Sequence, residues 1–147
     1  MASELVLVAW RYTKGQFLIA LINGVVAGAA FWLIDIPGAV WLGLAVMLGS
    51  LIPYLGAVLG FVPAVVTAAV ARQAAAPVLA VVGVWLGVQL LEALVLQPKI
   101  FGSQLRLHPL VVLAACLVGG VLLGPLGVIV AVPVTAAGAV VWRRLKR

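Results

Sequence analysis

The chain has 147 residues, of which 67% are hydrophobic and 8% charged, and its mean hydropathy is +1.36. Soluble domains are about half apolar and about a quarter charged, so a water-soluble fold is excluded and the chain reads as an integral membrane protein. Nine Lys and Arg against three acids leave a net charge of +6, but these cations flank apolar runs instead of forming one basic face, which argues against a nucleic-acid partner.

The first apolar block, residues 16–34 (QFLIALINGVVAGAAFWLI), follows Arg11 and Lys14 and approaches the roughly 20 residues of one crossing. Ala27-Gly28-Ala29 looks like a signal-peptide cleavage site, yet the run continues through Phe31, Trp32, Leu33 and Ile34 to spanning length, which favours a retained helix. The second block, residues 38–71, is broken near Pro53 within LIPYLGAVLGFVP (51–63). The third, residues 77–96, opens at Pro77, where a proline suits the first helical turn. The fourth, residues 109–142, is broken at Gly124-Pro125 within GPLG (124–127). Each long block reads as a hairpin of two helices of about 15 residues, near 22 Å at about 1.5 Å per residue. Such arms are shorter than the hydrocarbon core of about 30 Å.

A single span followed by a broken block, twice over, predicts one membrane domain built by duplication, with repeats at about 16–71 and 77–142. Gly49 to Pro63 and Gly119 to Pro133 have the same spacing, and QFLIALI (16–22) matches QLLEALV (89–95) at Gln, Leu, Ala and Leu. With both termini cytoplasmic, the hairpin reading puts every cation except Arg72 inside, as the distribution of basic residues in membrane proteins favours. Reading each long block as one tilted crossing moves Lys99 and Arg106 outside. The two hairpins then enter from opposite sides, an inverted repeat of the kind common in secondary transporters. Trp10, Trp32, Trp41 and Trp142 fall at block ends, where indoles sit at headgroup level. Trp85 falls mid-block, where packing and cavity lining are both open.

Irregular backbone at membrane depth needs cover from protein or a water-filled cavity, and interrupted segments in corresponding halves point to a transporter's binding site. This makes Pro53, Tyr54 and Gly56 of IPYLG (52–56) and Gly124, Pro125 and Gly127 of GPLG candidate pathway residues. The bland alternative is that the prolines only kink helices for packing. Small-residue pairs at Gly24/Gly28, Gly56/Gly60, Gly83/Gly87 and Gly120/Gly124 predict close helix contacts.

The segment QLLEALVLQPKIFGSQLRLHPLVVL (89–113) carries the polar candidates. Glu92 lies in an apolar helix, where a carboxylate is a candidate for ion coordination, proton carriage or a structural pair. Pairing with Lys99 or Arg106 near the interface is the plain alternative. Gln89 shares its helical face. Gln97 and Pro98 are expected to end that helix, and His108-Pro109 to open the next. His108 titrates near neutral pH, but beside a proline it also suits a turn. Cys116 reads as a small packing residue, and one His with one Cys builds no structural zinc site. An enzyme is not expected: a single histidine cannot make an H-E-x-x-H helix, and Glu4, Asp35 and Glu92 are far apart in sequence.

LIPYLG followed by GFVPAV, then LLEALVLQPKIFG, LHPLVVL and the terminal GPLGVIVAVPV together resemble the C-terminal region of the autoinducer-2 exporter family, the PerM-type permeases. The resemblance runs from about Tyr12 to Arg144. It implies a bacterial inner-membrane, multi-pass permease that exports a small signal molecule or exchanges sodium for protons, and that assembles as a homo-oligomer. Family chains are more than twice this length, so the N-terminal helices of the family are expected to be absent here. Leu94 stands where the family usually has Asn, and Ala57 where it commonly has Pro.

The expectation is therefore an all-α integral membrane protein with spanning helices plus two Pro/Gly-broken helical hairpins in an inverted repeat. Its partners would be the lipid bilayer, further membrane helices or copies of itself, and a small polar solute or ion moved by alternating access, with no cofactor. The alternative is a non-transporting scaffold subunit or a truncated transporter fragment.

Overall fold

The computed structural model describes residues 2–52, 55–102 and 109–145. Among them the elements are all helical: α1 (Ala2–Leu33), α2 (Ala39–Gly49), α3 (Leu55–Arg72), α4 (Ala75–Leu91), a π-helical turn (Glu92–Leu96), α5 (Gln97–Phe101) and α6 (Pro109–Leu145). Val6–Leu33, Ala75–Phe101 and Leu110–Ala139 are long and apolar enough to cross a membrane, whereas Ala39–Gly49 and Val58–Arg72 are shorter apolar helices. Large apolar side chains such as Trp32, Trp41, Val70, Val121 and Leu126 face outward, as lipid-facing surfaces require.

Helix boundaries differ from the expected blocks at two places. The first helix begins at Ala2, not near residue 16. Residues 2–14 contain neither Pro nor Gly, so the charges at Arg11 and Lys14 mark where apolar character changes without interrupting the backbone. The second difference is at Pro98, which lies inside α5 and does not end the helix. A proline ring normally collides with the carbonyl four residues back. The preceding turn is π-helical, with Gln97 N–H bonded to the Glu92 carbonyl, and this wider winding relieves the collision.

The chain divides into two compact units, Phe17–Pro98 and Met1–Gln16 with Lys99–Arg147. In the first, the end of α1 packs on α2, α2 on α3 and α3 on α4. Gly43 of α2 lies so near Gly28 of α1 that a Cβ there would stand 2.8 Å from the Gly28 Cα. α3 packs on α2, where Gly60 meets the backbone of Val46. Ala27, Phe31, Ile36, Ala39, Leu42, Ala64, Ala68, Val81 and Val88 form this unit's core. Four of the nine are alanine, which lets backbones approach closely where lipid tails offer no hydrophobic drive for helix association. Gly83 and Gly87, expected as a contact pair, have open space beside them.

In the second unit, Tyr12 stacks on Phe101 with ring centroids 4.8 Å apart, and Tyr12 shares a core with Val112, Cys116, Val132 and Ala136. These core residues draw on both arms of α6, which is broken at Gly124 (φ 64°, ψ −147°). That conformation is open essentially to glycine alone. The arms fold back so far that a side chain at Gly119 or Gly127 would run into the other's backbone. In a straight helix those residues would stand roughly 12 Å apart.

Candidate functional site

A cluster of polar side chains sits within the Phe17–Pro98 unit. Asn23 of α1 is fully buried, and its amide nitrogen donates to Glu92 Oε2 at 2.7 Å. The same nitrogen makes a long contact of 3.5 Å with the hydroxyl of Ser50, which caps the C-terminus of α2. Gln97 Nε2 donates to the other carboxylate oxygen, Oε1, at 3.3 Å. Glu92 therefore accepts from two amides on different elements.

Local winding builds half of this arrangement. In an α-helix, residues five apart point roughly 140° away from each other. The π turn from Glu92 to Leu96 carries Gln97 round toward the side of Glu92, so both amide and carboxylate belong to one cluster. Single π turns of this kind occur frequently at functional sites.

Two features set the electrostatics. Arg72 is the sole cation in the sequence from 17 to 98, and its guanidinium donates to the Asp35 carbonyl at 3.0 Å. Glu92 is half-buried with amide partners. In addition, Asn23 Oδ1 is buried with no partner among the described residues. An unmet acceptor of this kind costs about 1–3 kcal/mol. The carboxylate, the Asn23 amide and the Ser50 hydroxyl thus form one polar cluster in an apolar unit. Among the described residues no group of three or more His, Cys, Asp or Glu could hold a metal.

Beside this cluster lies a small cavity lined by Ala27, Phe31, Val46, Ser50, Phe61, Val84, Trp85, Val88 and Gln89. Gln89 is thus placed near the cluster through the cavity, although it is not one of the hydrogen-bond partners of Glu92. Pro98 is exposed. Pro109 opens α6 as expected, and Gly124, Pro125 and Gly127 form the reversal of α6 in the other unit. Gly56 lies in the first turn of α3. Pro53, Tyr54 and His108 lie outside the described residues.

Sequence reasoning missed Asn23 and Ser50. Asn23 carried a usable signal, since an amide in the middle of the apolar block 16–34 normally hydrogen-bonds across helices. Ser50 carried little, because a serine beside a helix break reads as a cap.

The whole chain, residues 1–147, matches the family described as AI-2E family transporter. It is 42% identical over 125 residues to YrrI of Bacillus subtilis (strain 168), covering 85% of this chain and 35% of that protein. It is 38% identical to MT0215 of Mycobacterium tuberculosis (strain CDC 1551 / Oshkosh), covering 85% of this chain and 34% of the relative. Against the AI-2 transport protein TqsA of Escherichia coli (strain K12), the identity is 33%, with 85% and 36% covered. The chain thus spans about a third of the length of the curated relatives it matches. Apolar helices of spanning length and a match along its full length agree: the chain is a membrane protein and belongs to the AI-2E transporter family.

Proposed function

We propose that this chain acts in secondary transport, carrying a small polar solute or an ion across the bacterial inner membrane by alternating access. The observation that carries this reading is Glu92, an acid on a membrane-length helix, held by Asn23 of another helix. Ionisable groups at such positions are expensive and mark pathways for ions, protons or polar cargo. Family membership supports the transport class, and the name of the relative TqsA supports a signal molecule such as AI-2 as one candidate cargo.

In this reading Asn23, Glu92 and Gln97 form the polar station, with Gln89 as helper. The breaks of the two long blocks belong to re-entrant hairpins within repeats 16–71 and 77–142. Both termini are cytoplasmic, and copies of the chain or further membrane helices complete the assembly. The test is flux in liposomes containing the purified chain together with its Glu92→Gln variant. That substitution keeps an acceptor for Asn23 but removes the ionisable group. Lost flux supports the reading, and unchanged flux removes Glu92 from the mechanism.

A second reading makes the chain a non-transporting scaffold that supports other membrane helices, for which the small residues at the approach of α1 and α2 speak. Flux by the reconstituted chain alone would exclude it.

A further inference from the structure

The cavity beside the polar station contains about 20 Å³ in which the centre of a water molecule can lie. Roughly 10–15 Å³ of such space holds one water, which then needs two to four polar partners. The wall is mostly aliphatic and aromatic, but it includes Ser50, Gln89 and Trp85. The Trp85 indole N–H is buried and has no hydrogen-bond partner among the described residues. Its ring lies against Phe61, with centroids 5.2 Å apart, on the same wall. A buried donor of this type almost always finds a partner. None of the aliphatic and phenyl groups around the cavity can supply one.

We propose that this cavity is an internal hydration site for a single water molecule, which accepts from the Trp85 indole and bonds to Ser50 and Gln89. Volume favours a ligand of this size, because the space is close to what one water needs. Chemistry selects it too: the indole offers only a proton, so the occupant must accept there, while the Gln89 carbonyl and Ser50 oxygen accept protons in turn. A bare cation satisfies neither the indole nor the volume of a hydrated shell. Through Ser50 the water reaches Asn23 Nδ2, and Asn23 joins it to Glu92. The station is thereby extended from α1 and the π turn into the space between α2, α3 and α4. Hydration here does not depend on the chain carrying transport activity, and its failure would leave that reading standing.

The test uses the full chain in lipid nanodiscs with ¹⁵N-labelled tryptophan, reading magnetisation transfer from water to each of the five indoles by NMR. Trp85→Phe identifies the Trp85 signal by its disappearance. The expected result is direct transfer from water to the Trp85 indole, lost in Ser50→Val, which removes the hydroxyl and fills the cavity with methyl groups. The other four indole signals remain in place in that variant as a check on folding. Gln89→Leu is the second variant and is expected to weaken the same transfer. Absence of transfer at Trp85 in the unsubstituted protein overturns the proposal. So does transfer that survives unchanged in a folded Ser50→Val protein, because the water would then lie elsewhere.

Discussion

The hydrogen bond between Asn23 and Glu92 joins α1 to the π turn across 69 residues of sequence, and its strength can be measured. Bonds to ionised groups contribute about 1.5–3 kcal/mol in soluble proteins. Across membrane helices, such side-chain bonds average about 0.6 kcal/mol and reach about 1.7. At 2.7 Å, with a fully buried donor residue and only a 3.5 Å contact as competitor, this bond belongs at the upper end, about 1–2 kcal/mol. The single variant Asn23→Ala underreports it. Removing Asn23 also deletes the unmet Oδ1 acceptor, which returns about 1–3 kcal/mol, and half-buried Glu92 can recover some solvation. A double-mutant cycle separates these terms. Asn23→Ala, Glu92→Ala, the double variant and the parent protein would be unfolded reversibly in mixed micelles. A coupling energy of about 1 kcal/mol or more is expected; additivity within about 0.3–0.5 kcal/mol would refute the cluster as a coupled unit.

Gly124→Ala must hold a Cβ at φ 64°, ψ −147°, and is expected to lower stability by about 1–3 kcal/mol although no neighbouring atom obstructs it. Gly43→Leu forces α1 and α2 apart where Gly43 lies against Gly24 and Gly28 and should destabilise by about 1–3 kcal/mol, read as an earlier unfolding midpoint in the same micelles. Gly83→Ala is the matched control: with nothing near its added Cβ, it should be neutral or stabilise by up to about 1 kcal/mol through helix propensity. Glu92→Gln should abolish flux and lower the unfolding midpoint modestly, since one amide oxygen can still accept from Asn23 but the acceptor that faces Gln97 is lost.

Residue chemistry alone determined the class of this protein and its weak points. Membrane character follows from composition, and backbone breaks follow from Gly and Pro, whose conformational limits act locally wherever the chain goes. That is why Gly124 could be read as a breaking point before any fold was known, and why Glu92 stood out against its apolar surroundings. Tertiary structure decided which groups meet. Nothing local in Asn23 says that it faces Glu92, because their contact depends on the packing register of two helices distant in sequence. The π turn is similar: Pro98 makes an irregularity necessary, but continuing the helix through it and turning Gln97 onto Glu92 depends on the energy of the packed chain. Short-range rules locate a carboxylate and a break, whereas the pairing of buried polar atoms is settled only when every neighbouring helix competes for the same space.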